Sequence, residues 1–287
     1  MPPPTSANLI DLRPGHKDLP CGASEDVPGL PLPLPTHKDL PCEDGSIVEN
    51  NQEHPLANLL TDSLGPRLAE VYGDGNFYIG ADTGIFWRHT SPPLAGCKSP
   101  DWYVVPGVPQ MLDGEIRRSY VLWQEIERPL LVAEFVSRSG AEERDRTPMT
   151  GKFWVYERGL AVPFYVIFDG FRRRLEVHHL QDGVYRPVEP NAHGRYPIPP
   201  LRIELGMWHA TYRGITGVWL RAWDAATGGL LSISEERAAL AEADTDHFQE
   251  LAAEATEHAD AERRRADDAV ERLRLLEEKL RAAGLDA

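Results

Sequence analysis

The hydrophobic pattern changes period several times along the chain, and each change predicts an element. In LANLLTDSLGPRLAEVYG, Leu56, Leu59, Leu60, Leu64 and Leu68 fall on one stripe of an amphipathic helix. Gly65-Pro66 interrupts that stripe and predicts a kink or a split. Short strand candidates follow at NFYIGA, GIFW and DWYVV. PLLVAEFVS (Pro129 to Ser137) and VPFYVIFDG (from Val162) are apolar almost throughout, as strands buried on both faces are. Between them lies a polar loop, RSGAEERDR. TPMTGKFWVYERG then predicts a helix, with Pro148 in its first turn and Gly159 capping its end. Strand, helix, strand in this order predicts a right-handed crossover and a sheet covered by helices.

After residue 171 the runs LEVHHL, GVYRPVE, LRIELGMW, GVWLRAWD and GLLSIS read as short strands in an antiparallel extension. From Glu235 to about Arg281 the chain is rich in Ala, Glu and Arg. Phe248, Ala252, Ala255, Ala259, Glu262, Ala266, Ala269, Leu273, Leu276, Leu280 and Ala283 form a heptad seam, mostly alanine until the last three leucines. This predicts a long exposed helix that forms a coiled coil with a second copy, hence a homodimer. A solvated single helix is the alternative.

The N-terminal residues are Pro-rich and carry a repeat: GHKDLPC (from Gly15) returns as THKDLPC (from Thr36). Each His precedes its Cys by five residues, an unusual zinc spacing, so a duplicated segment is the simpler reading. The expected organisation is a largely disordered segment over 1–45, a catalytic-size domain over 46–232 and a charged helix over 233–287.

Composition narrows the function. A chain of 287 residues with 41% hydrophobic residues can build a sizeable core. No run approaches the roughly 18 apolar residues of a membrane span, and the N-terminus lacks signal-peptide character. Three cysteines fit a reducing cytoplasm better than a disulfide framework. The net charge of −15 argues against coating duplex DNA through many phosphate contacts, and leaves room for local contacts only.

The candidate chemistry lies where acids interrupt apolar strands. Asp101 opens one strand behind Pro100, and Glu134 sits inside LLVAEFVS, where an unpartnered carboxylate is costly. Lys152 lies in the next helical stretch among Gly, Phe and Trp. Two converging carboxylates make a hard-cation site, and a nearby ammonium can orient a water for attack on a phosphodiester. Taken singly, Asp101 is turn chemistry, Glu134 is a partner for Arg144 or Arg146, and Lys152 is a solvated helix residue. Asp82 is a turn residue or a third acid. His178 and His179 alternate along a strand, face opposite sides, and read as structural. Arg172 to Arg174 read as a solvated hairpin turn or a phosphate contact.

PDWYVV, LLVAEFVS, ERDR followed by GKFWVYERG, and VPFYVIFDG together resemble the Uma-type restriction endonuclease family of the PD-(D/E)XK nuclease superfamily. Lys152, Tyr156, Tyr165 and Asp169 fall at that family's helix-strand positions, and the match spans about residues 45–232. The resemblance implies an α/β, restriction-endonuclease-like mixed sheet flanked by helices. It implies an endodeoxyribonuclease in which Asp101, Glu134 and the Phe135 carbonyl bind Mg2+ or Mn2+ and Lys152 positions the attacking water. The superfamily lysine usually stands two residues after the acid. Val136 occupies that place here, so Lys152 is the substitute. Glu53, His54 and Ser137 are further candidates near the site. The alternative is a non-catalytic nuclease-fold module that assembles through the C-terminal helix.

Overall fold

The structure is a computed structural model, and it describes residues 33–41 and 51–282. Helix α1, Glu53–Tyr72, leads into strand β1, Phe77–Gly80. Three short pieces, β2 (Ile85–Phe86), β3 (Cys97–Lys98) and, later, β7 (Tyr120–Val121), make a small sheet in the order β3-β2-β7. Between β3 and β7 run β4 (Trp102–Pro106) and a two-stranded ribbon of β5 (Met111–Leu112) and β6 (Glu115–Ile116). One turn, α2 (Leu122–Glu125), precedes β8, Leu131–Phe135. The short α3, Lys152–Trp154, continues into a π-helical turn, Val155–Gly159. There follow β9 (Phe164–Asp169), β10 (Arg174–Gln181) and β11 (Val184–Pro187). A three-stranded sheet, β12 (Tyr196–Ile198), β13 (Ile203–Tyr212) and β14 (Ile215–Asp224), comes before α4, Ser234–Ala282.

The main sheet has six strands in the order β1-β4-β8-β9-β10-β11. Only β8 and β9 pair in parallel, which makes the sheet mixed. The leucine stripe of α1 is buried against one face, with Trp102, Val104, Ala133, Phe135, Val166 and Phe168. On the other face Tyr103, Val105, Val132, Tyr165 and Ile167 pack with Phe153, Val155 and Tyr156. Strand residues therefore divide strictly by parity, because successive side chains of a strand point to opposite faces. The continuous apolar runs of β8 and β9 follow from this: both faces are covered.

Several expectations shift. Helix α1 runs unbroken through Pro66. Proline cannot donate to the carbonyl of Asp62, but the Arg237 guanidinium reaches that oxygen at 3.5 Å, so the freed acceptor keeps a partner. The helix expected from Thr147 starts instead at Lys152. Residues 147–151 form a turn: Asp145 accepts from the Thr147 amide and hydroxyl, and Gly151 donates to the Thr147 carbonyl. A Cβ at Gly151 would lie 2.3 Å from the Asp145 carbonyl oxygen, so only glycine permits this approach. GLLSIS contributes one isolated bridge, Leu230 to Trp223, rather than a strand.

Of the segment 1–45, the described residues 33–41 include most of the second repeat copy, which packs on the folded body. His37 and Leu40 are buried, and Leu40 packs with Phe86, Cys97 and Val121. The Trp123 indole donates to the Pro35 carbonyl. The first copy and Cys42 lie outside the described residues. At the other end, α4 has no buried residue along its length, and Ala283 of the expected seam falls outside the description. No described helix is long and apolar enough to cross a membrane.

Candidate active site

Parity and register bring the acids together. Trp102 pairs with Ala133 across β4 and β8. Continuing that antiparallel register by one residue sets Asp101 opposite Glu134. Both lie on the parity that carries Tyr103 and Val132 toward α3. The Phe135 amide donates to the Asp101 carboxylate in a short hydrogen bond, which ties the start of β4 to the end of β8.

Glu134 is fully buried, and both its oxygens are engaged. Lys152 donates to one at 2.9 Å, and the Tyr156 hydroxyl to the other at 2.5 Å. The π-helical turn carries Tyr156, and such turns often occur at functional sites. Arg144 and Arg146, the partners considered for Glu134, turn elsewhere: Arg144 pairs with Glu176, and Arg146 approaches Glu157 at 3.9 Å. The Lys152 side chain is only 14% exposed, so it is not the solvated residue its helix position suggested. It also lies 3.6 Å from Glu142.

A second acidic group meets Asp101 from the other side. Carboxylate oxygens of Glu53, Asp82 and Asp101 lie within 4.8 Å of one another. Glu53 opens α1, and the Asp82 amide donates to the Pro100 carbonyl at 3.2 Å, which places Asp82 beside Asp101. Asp82 has a φ of 48°, a left-handed turn conformation that aspartate tolerates. His54 stands 3.5 Å from Asp82. Glu134 is not part of this trio. Asp101 is thus the hinge between two groups: Glu53 and Asp82 on one side, Glu134, Lys152 and Tyr156 on the other.

The electrostatics reflect this crowding. Burial pushes the Asp101 carboxyl well above the usual range, and the Glu134 charge adds to it; Lys152 and the Phe135 amide oppose. Burial likewise raises Glu134, against the pull of Lys152 and the Tyr156 hydroxyl. Burial would lower the Lys152 ammonium, but the charges of Glu134 and Asp101 outweigh it and raise its pKa. Lys152 is therefore a fixed cation, one charge shared among several buried or half-buried carboxylates. Such a site lacks positive charge, and a divalent cation is what would supply it. For oxygen ligands at about 2.0–2.6 Å, two on opposite sides of one ion are about 4–5 Å apart, so the trio fits a hard cation.

His178, His179 and Arg172 are engaged elsewhere. The His178 ring packs edge-on against Phe153, while His179 stacks on Phe164 from the other face, consistent with structural roles. Arg172 bridges Asp169 and the Arg138 carbonyl in the β9–β10 turn. Glu53 and Asp82 give little sign of this role in the chain. A glutamate opening a helix and an aspartate in a Gly-rich turn are ordinary local chemistry, so neither carries a signal of its own.

A mixed sheet with central strands that present acids beside a buried lysine defines a mixed α/β protein consistent with the PD-(D/E)XK nuclease superfamily. Residues 31–213 match the family model Uma2, described as "Putative restriction endonuclease", and the chain belongs to that family. No curated protein matches it.

Proposed function

We propose that this protein is a metal-dependent endodeoxyribonuclease that hydrolyses phosphodiester bonds by water attack. The observation that carries this reading is the position of Asp101. It belongs to the acidic trio and lies across the strand pair from Glu134 and its lysine.

In this reading Glu53, Asp82 and Asp101 hold the ion, Mg2+ or Mn2+, with Glu134 alongside. When bound, the ion supplies Lewis-acid charge to a phosphoryl oxygen and acidifies a water. The chain's own residues do the rest. The Phe135 amide fixes the Asp101 carboxylate. Glu134 and Tyr156 form a buried brace that aims the Lys152 ammonium, and part of that side chain remains open to solvent. With its remaining N–H groups Lys152 donates to the attacking water or to a phosphate oxygen. It stays charged near neutral pH, so it positions and stabilises rather than accepts the proton. Because the whole chain is strongly acidic, DNA contact is local.

The test is cleavage of plasmid or single-stranded DNA with Mg2+ or Mn2+, before and after Asp101→Ala and Glu134→Ala. Loss in both variants supports the assignment, and full activity in both removes it. An inert wild-type chain that binds no Mg2+ or Mn2+ by calorimetry would favour a non-catalytic module.

A further inference from the structure

Beyond its first turn, helix α4 leaves the folded body with no described residue covering it. Phe248, Leu273, Leu276 and Leu280 are 68%, 60%, 56% and 48% exposed on the heptad seam. At about 1.5 Å per residue its 49 residues span about 74 Å, and a straight helix cannot bury its own apolar stripe without another surface. The residues beside the seam decide what covers it. With Leu273 and Leu280 at heptad position a and Leu276 at d, one flank (position g) carries Arg265, Arg272 and Lys279, with Asp244 its one acid, while Arg237 at the first turn is already paired with Asp62. The other flank (position e) carries Glu235, Glu242 and Glu277, with Arg263 its one cation.

Flank charges set partner orientation in coiled coils. In a parallel pair, g of one helix faces e of the next heptad in the other. In an antiparallel pair, g faces g and e faces e. Around the leucines the g flank is basic throughout (Arg265, Arg272, Lys279), so antiparallel alignment there sets basic residues against basic residues, whereas parallel alignment sets Arg272 against an acid. In the parallel register Arg272 meets Glu277 of the second copy.

We propose that α4 is a parallel homodimerisation helix, paired along this seam with α4 of a second copy of the chain. Both folded bodies then lie at the same end of the coil. This brings two copies of the candidate site into one neighbourhood, where each could act on one strand of a duplex. The pairing itself does not depend on the nuclease reading.

Sedimentation equilibrium of the full chain tests it. The expected result is a reversible dimer, with a dissociation constant that rises about tenfold in Arg272→Glu and returns toward wild type in the double variant Arg272→Glu/Glu277→Arg. Far-UV circular dichroism checks that the helix persists in each. Leu280→Cys is expected to cross-link to its counterpart under mild oxidation, read against the wild-type chain with its three cysteines. A monomer at every concentration overturns the proposal. So does a dimer in which Leu280→Cys adds no cross-link or the charge swap fails to restore affinity.

Discussion

Asp101 directly precedes β4, where the antiparallel register continued one residue past Trp102–Ala133 sets it opposite Glu134, and the Phe135 amide next to Glu134 holds the Asp101 carboxylate. Two acids facing each other across a strand pair repel, and each such pair needs a counter-charge. Lys152 supplies one positive charge, which several carboxylates share.

Asp101→Asn therefore separates stability from activity. Removing one like charge is expected to raise the metal-free melting temperature by a few degrees, while DNA cleavage falls at least a hundredfold. Mn2+ should raise the melting temperature of the wild type and leave that of the variant unmoved. Thermal melts with EDTA and with Mn2+ read both effects, and an equal metal response in the two proteins would remove Asp101 from the ion site.

Lys152→Met leaves Glu134 buried with its charge unbalanced. The expected cost is about 3 kcal/mol, the lower end for breaking a buried ion pair. Adding Glu134→Gln should recover most of it, since a neutral amide tolerates a dry site far better. Urea unfolding of the two single variants and the double variant closes the cycle. Additive costs would show that the 2.9 Å contact is energetically empty.

The first turn of α4 belongs to the folded body, so the boundary expected at 232/233 cuts through a contact. Arg221 is fully buried and donates to both oxygens of Glu236, at 3.0 and 2.8 Å. Asp62 of α1 accepts from the Ser234 amide and from Arg237. A chain ended after Ser234 strands Arg221 and is expected to lose about 2 kcal/mol, reduced from the buried-pair figure because Glu236 is partly exposed. A chain ended after Thr245 keeps these contacts and should melt like the full chain. Equal melting of the two truncations would refute the coupling.

Asp224 links stability to pH. The Thr227 amide and hydroxyl, then the Ala226 amide and the Arg67 charge, hold its carboxyl down at about 2 against the ordinary 3.8, despite some burial. A lowered folded pKa means stability that is present above the unfolded value and lost as pH falls through about 2. Asp224→Asn should thus melt below wild type at pH 7, with the gap closing between pH 4 and pH 2. Melting temperatures of both proteins across that range test it, and a gap that stays constant would assign the loss to something other than the charge.

The elements were largely legible in the chain because periodicity is a local property. The stripe Leu56 to Leu68, the apolar runs of β4, β8 and β9, and the length of α4 all follow from side-chain spacing. Glu134 stood out for the same reason: a charge within an apolar strand must have partners, and Lys152 and Tyr156 are those partners. The start of α3 was misplaced because Asp145 captures Thr147 in a turn, a competition that helical periodicity does not register.

Local patterning along the chain thus carries the elements, the family they belong to, and one buried acid in β8 that needs a partner. Packing in three dimensions supplied that partner, Lys152, and selected which acids share a point. Register placed Asp101 opposite Glu134, since a slip of one residue would send every side chain of a strand to the other face. The return of α1 and of the turn after β1 then brought Glu53 and Asp82 to Asp101 from distant places in the chain. Those contacts come from the packing of separate elements, and no local pattern in the chain encodes them.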